Sequence, residues 1–186
     1  ASEVDLQLQI GVGVGDRGRR SLAFSITGLV PRSVGNVELA SADPLAAPRI
    51  RNNYLSAPYD LQVMMHGVRL ARRIVGAPAL AGLAFREALD GRIQEAPHTD
   101  AYVEEYVRLN AGTNWHPQST CRMGPAPGSG DVVDAACRVH GAERLRVVDA
   151  SAMRSPMTGN TNAPVIMIAE KVSDMIRAGA AGSRGP

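Results

Sequence analysis

Apolar and polar residues alternate strictly along Val4-Asp-Leu-Gln-Leu-Gln-Ile10. A period of two predicts a strand with one buried and one solvated face. Ser21-Leu-Ala-Phe-Ser-Ile-Thr27 alternates in the same way, with a Gly- and Arg-rich stretch between the two. Residues 36–39 and 49–54 are shorter candidates across Pro- and Asp-containing turns, so the pattern predicts an antiparallel meander of about four strands. From residue 60 to 75 the period becomes helical: Leu61, Met64, Met65, Val68, Ala71 and Val75 share a face. Arg69, Arg72 and Arg73 fall largely outside it and are expected on a solvated face, and Pro78 ends the pattern. Thr99 offers a cap to a second helix with an apolar stripe through Tyr102, Val103, Tyr106 and Leu109. Residues 114–130 have loop composition. A compact strand is predicted over 144–149, then a loop, then an amphipathic helix over 164–178 whose proline suits a helix start.

Composition narrows the class. Hydrophobic residues make up 45% and charged residues 20% of the 186, the balance of a folded globular chain rather than a disordered one. Lys plus Arg is 20 against 18 for Asp plus Glu, and no basic stripe is visible, which argues against a general nucleic-acid binder. The apolar stretch at 163–169 falls well short of the ~20 residues of a membrane span. The first residues lack the basic and apolar regions of a signal peptide. Cys121 and Cys137 match neither a disulfide scaffold nor a zinc spacing, so free thiols in a reducing compartment, the cytoplasm, are expected. No metal is expected, because Cys121, Cys137, His116 and His140 lack paired short spacing. His66 on a helix and His98 in a loop are most simply surface or packing residues.

Two segments concentrate the chemistry: Asn114-Trp-His-Pro-Gln-Ser-Thr-Cys-Arg-Met-Gly124, and residues 145–165, which include Val147-Val-Asp-Ala-Ser151 and Gly159-Asn-Thr-Asn-Ala-Pro164. His116 lies between an aromatic residue and a proline. On type alone a single histidine is more often structural than catalytic. Asn160, Thr161 and Asn162 ahead of a helix read equally well as caps, and Asp149 at a strand end as a turn residue.

Together, in this order and spacing, these segments resemble the C-terminal signature of the glucose–methanol–choline (GMC) oxidoreductases, flavin-dependent alcohol oxidases and dehydrogenases. The resemblance is specific over about 114–177 and looser over the first half, which corresponds to the family's substrate-binding domain. It implies that His116 faces the flavin as general base on a substrate hydroxyl. It implies that Asn160, at a position the family fills with His or Asn, binds the substrate oxygen. The choice of Asn leans toward the choline dehydrogenase and alcohol oxidase branch. Trp115, Asp149, Ala150, Thr161, Asn162 and Ala163 match positions around FAD: Asp149 and Ala150 by its phosphate and ribityl portion, and Thr161 to Ala163 under the isoalloxazine ring. One departure is Ser119, where many relatives have glycine.

The residue types suit that chemistry. A neutral imidazole, with an ordinary pKa near ~6.5, can take the hydroxyl proton as hydride leaves the carbon. Asn160 supplies an amide donor without a charge opposing an alkoxide. The dinucleotide fingerprint GxGxxG that should open a whole family member is missing. Gly11-Val-Gly-Val-Gly15 is followed by Asp16-Arg-Gly-Arg-Arg20 rather than an apolar helix, so a turn between strands is expected there.

The expectation is therefore an α+β chain, an antiparallel sheet backed by helices. Residues 1–112 would form the substrate-binding portion. Residues 113–186 would carry the catalytic loop and a segment returning to complete an FAD-binding α/β domain. The remaining partner would be a larger chain carrying the FAD-binding GxGxxG portion, and the substrate a small alcohol. The alternative is a non-catalytic fragment or interaction module derived from such a flavoenzyme, for which an intact His116 and Asn160 would have no physical use. Phe24, Tyr54 and Trp115 hint at an apolar pocket lining.

Overall fold

The computed structural model describes residues 5–14, 20–80, 87–89, 92–94 and 99–182; His98 and Gly15 lie outside them. The chain divides into two compact units, Ala1–Asn114 and Trp115–Pro186.

In the first unit, strands β1 (Leu6–Val14) and β2 (Arg20–Gly28) pair antiparallel in the register Leu6↔Gly28 to Val14↔Arg20. The glycines from 11 to 13 thus continue β1 rather than forming a turn. Strands β3 (Asn36–Glu38) and β4 (Arg49–Arg51) pair only with each other. The expected four-stranded meander is corrected to two separate pairs. Both β3 and β4 are exposed throughout, and at three residues each they lack an alternating buried face to dock on another strand. A third pair, β5 (Glu87–Leu89) with β6 (Arg92–Gln94), falls where no pattern predicted one.

Helix α1 (Pro58–Val75) begins with proline at its first position, where the missing N–H costs nothing. Asp60 in the first turn is buried and accepts from the backbone N–H groups of Arg32 and Ser33, both at 2.8 Å. The Ser33 hydroxyl accepts in turn from Ala57 N–H at 3.0 Å, so the loop after β2 is fastened to the helix start. Gly67 sets the approach of α1 to the hairpin: a Cβ there would lie 2.5 Å from Ile26 Cγ2 and 3.1 Å from Leu6 Cδ1. Helix α2 (Asp100–Asn110) is capped by Thr99, whose hydroxyl accepts from Tyr102 N–H. Its buried residues are Val103 and Val107, packed with Val68 of α1 and partly buried Ile26, Leu61, Met64 and Tyr106.

Leu109, placed on the apolar stripe by its spacing, is exposed. Val107 takes the inward position instead, four residues after Val103 on the helix. The solvated arginine face is also corrected in part. Arg69 pairs with Asp100 at 2.7 Å, and the Arg72 guanidinium lies over the Tyr102 ring, so both bind α2 while Arg73 is exposed.

In the second unit, Val133, Cys137, Ala152 and Val172 form a buried cluster, with Met123, Val132, Val139, Val147, Val148 and Ile168 packed against it. Helix α3 (Asn162–Gly182) contributes Val172 and Ile168. The strand expected at 144–149 is absent as a regular element. Arg144 adopts φ 58° after a turn through Gly141, and only a single bridge, Arg138↔Arg146, pairs this segment. Left-handed backbone at Arg144 and at Cys137, whose carbonyl accepts from Val147 N–H, bounds the pairing on either side of that bridge. No helix among the described residues is long and apolar enough to cross a membrane.

Candidate functional site

Residues 113–119 form no helix or strand, and single positions set their path. Trp115 has φ 60°, a left-handed backbone rare for a bulky side chain, and is 84% exposed. Pro117 biases the preceding residue toward extended backbone. The chain thus turns sharply just before His116. The His116 ring is half-buried, with Nδ1 3.0 Å from Thr161 Oγ1. That contact engages Nδ1 rather than Nε2.

The loop is fastened at alternate amides. Ser119 N–H donates to the Ala150 carbonyl, Cys121 to Ser151 and Met123 to Ala152, at 3.2, 2.9 and 3.0 Å. These three carbonyls belong to a short 3₁₀ turn, Ala150–Ala152. The Gln118 side-chain oxygen accepts from Met157 N–H at 3.2 Å. Residues 116–123 and 149–161 are therefore one framework, and it brings together His116 and Thr161, 45 residues apart. Ser119 is itself left-handed at φ 68°, and its buried hydroxyl finds no partner among the described residues.

Asp149 caps the 3₁₀ turn: its Oδ1 accepts from Ser151 N–H at 2.8 Å and from the Ser151 hydroxyl. Its carboxylate is otherwise at the surface, and Ala150 is half-buried. Asn160 and Asn162 are exposed on either side of buried Thr161, and Ala163 is exposed as well. Val165 N–H closes the first helical bond of α3, onto Thr161 O. The amides ahead of it have no intrahelical acceptor, and they stand at the positive end of a 21-residue helix. The Thr161 hydroxyl engages His116, a contact the sequence reading did not include. Gln118, which holds Met157, went unnoticed in the sequence; a glutamine two residues after a histidine carries no signal for such a contact.

Beside this framework, Asp131 is buried and accepts from the Ser129 hydroxyl and from Arg122 Nε at 3.1 Å. The Ser129 hydrogen bond, helped by the Arg122 charge, holds its carboxyl below the usual carboxylate range. Burial pushes the Cys137 thiol up. His140 donates from Nε2 to the Gly124 carbonyl at 3.0 Å, since a carbonyl only accepts, and so staples two loops.

The chain is similar to known proteins in sequence and in fold. Residues 31–169 match the family described as GMC oxidoreductase. Oxygen-dependent choline dehydrogenase 1 of Chromohalobacter salexigens is 45% identical over 145 residues, 78% of this chain and 25% of that protein. Alcohol dehydrogenase [acceptor] of Pseudomonas putida is 41% identical over 168 residues, 90% of this chain and 28% of that protein. Among solved structures, an FAD-dependent oxidoreductase from Chaetomium thermophilum aligns with a TM-score of 0.78 at 30% identity, covering 87% of this chain and 27% of that one. The chain thus spans about a quarter of the length of the curated relatives it matches. Since the family match alone takes in most of the sequence, the chain belongs to the GMC oxidoreductase family.

Proposed function

We propose that this chain is the substrate-binding and catalytic-loop portion of an FAD-dependent enzyme that oxidises an alcohol, CH–OH to C=O. Residues 1–112 form the substrate side. Residues 113–186 supply the base and return to an FAD-binding domain whose GxGxxG portion is provided by sequence outside these residues or by another polypeptide. The observation that carries the reading is His116, held at Nδ1 by a buried hydroxyl on a strained, proline-flanked loop, which turns Nε2 to other use.

The donor set at the start of α3 fits a flavin. The backbone N–H groups of Asn162 and Ala163, on exposed residues at the positive helix end, suit carbonyl or anionic acceptors on a ring. Pro164 adds no competing N–H. Asp149, exposed beyond its capping bonds, can accept from hydroxyls of a ribityl chain. FAD, when bound, supplies the acceptor for the hydride.

The chain's own residues do the rest. His116 Nε2 takes the hydroxyl proton, and the Asn160 amide donates to the substrate oxygen as negative charge grows there. The nearer relatives favour a small primary alcohol of the choline type as substrate. In the holoenzyme, His116→Ala is expected to keep the flavin absorbance and lower alcohol turnover by at least ~10²-fold. Unchanged turnover would remove His116 from the mechanism.

A further inference from the structure

Building on His116 as the base, we propose that Thr161 is a positioning residue whose Oγ1 accepts Nδ1–H of His116, fixing the tautomer that leaves the lone pair on Nε2.

Thr161 is not placed as an ordinary helix cap. It directly precedes α3, in the N-cap position, where a threonine hydroxyl ordinarily accepts from the amide two or three residues on. Three residues on is Pro164, which has no N–H, so the usual capping-box geometry is unavailable. Its side chain is 8% exposed and turned inward, between two asparagines that face out. The hydroxyl meets His116 Nδ1 at 3.0 Å, an ordinary hydrogen-bond distance.

The direction of that bond follows from the task. A hydroxyl can donate or accept. If Thr161 donated to Nδ1, the neutral ring would carry its proton on Nε2 and could take none from a substrate there. If Thr161 accepts, Nε2 has a lone pair. The same bond then survives when Nε2 is protonated, because both nitrogens of an imidazolium are donors. Trp115 and Pro117 restrict the backbone on either side of His116, and the bond to Thr161 orients its ring.

The test is the tautomer itself. ¹⁵N chemical shifts of His116 in the ¹⁵N-histidine-labelled holoenzyme, assigned by the signal lost in His116→Ala, should report Nδ1–H and a bare Nε2 in the neutral ring. Thr161→Ser should retain that pattern. Thr161→Val, close in shape but without the hydroxyl, should shift it toward Nε2–H. The valine variant should also lower kcat about tenfold with little change in KM, as loss of one hydrogen bond to a reacting group does.

A wild-type ring protonated on Nε2 overturns the proposal, and that measurement needs no variant to fold. Wild-type kcat in Thr161→Val, with His116→Ala inactive, overturns the role of Thr161 and leaves the base in place. Full turnover in His116→Ala fails the base, and the role of Thr161 with it.

Discussion

At the level of single residues, the candidate site combines left-handed backbone with polar side chains of opposite fortune. Ser119 occupies φ 68° and buries a hydroxyl with no described partner. Each is a cost of roughly 1 kcal/mol or more. Ser119→Gly removes both, so it is expected to raise thermal stability, and a melting curve that falls instead would show that the hydroxyl has a use in the assembled enzyme. Asn160 is the converse case, an exposed amide whose neutrality the proposed mechanism uses. Asn160→Asp should lower alcohol turnover by about 10²-fold, because a carboxylate opposes the developing alkoxide and offers no donor. Steady-state kinetics with flavin content measured in parallel checks this. Cys137, 1% exposed with its thiol pushed up by burial, should resist thiol reagents in the native protein while half-buried Cys121 reacts first. What the sequence carries at this scale is residue type and neighbours: Pro117 after His116, Pro164 after Thr161. The left-handed turn at Trp115 and the contact between His116 and Thr161 were not legible, since no local pattern encodes a bond across 45 residues.

Elements tell a different story, because periodicity is a local property. Helix α1 was readable from the spacing of Leu61, Met64, Met65 and Val68. The Thr99 cap announced α2, although the stripe misjudged Leu109 for want of knowing which neighbour α2 would meet. Strand pairing was not readable. Alternation marks β1 and β2 as strands but cannot say that β3 and β4 stop at each other. Gly67 of α1 lies close against Ile26 of β2. Ile26 Cγ2 is a branch fixed at Cβ and cannot swing away, so Gly67→Ala should destabilise by about 1–2 kcal/mol despite alanine's better helix propensity. A chemical-denaturation curve with a lower midpoint and unchanged slope is the expected result. In the loops around Met123, acid acts through Asp131. Its folded-state pKa is depressed by Ser129 and Arg122, so its contribution is complete above the ordinary carboxylate pKa of about 3.9 and is lost as pH falls through the lower folded value. Asp131→Asn should flatten that acid limb of the stability profile.

At the scale of the whole molecule, the question is what covers the apolar surface. In the first unit Val34, Val37, Leu39, Leu45 and Ile50 are all exposed, several almost fully. In the second, Ile166, Met167 and Ile176 are exposed on α3 while Val172 of the same helix is buried. Apolar residues scattered singly would be ordinary, but groups in and around one short strand pair and along one helix are what a folded chain covers with something else. The chain spans about a quarter of the relatives it matches, and the proposed cover is the nucleotide-binding portion of the flavoenzyme. The 186 residues expressed alone should therefore be colourless, bind a hydrophobic dye and elute as an associated species. Co-expression with a flavin-binding partner portion should give a yellow complex in which dye binding falls. A stable, dye-silent, flavin-free monomer would show that these faces need no partner, and the proposal of an enzyme completed by a nucleotide-binding portion would fall with them.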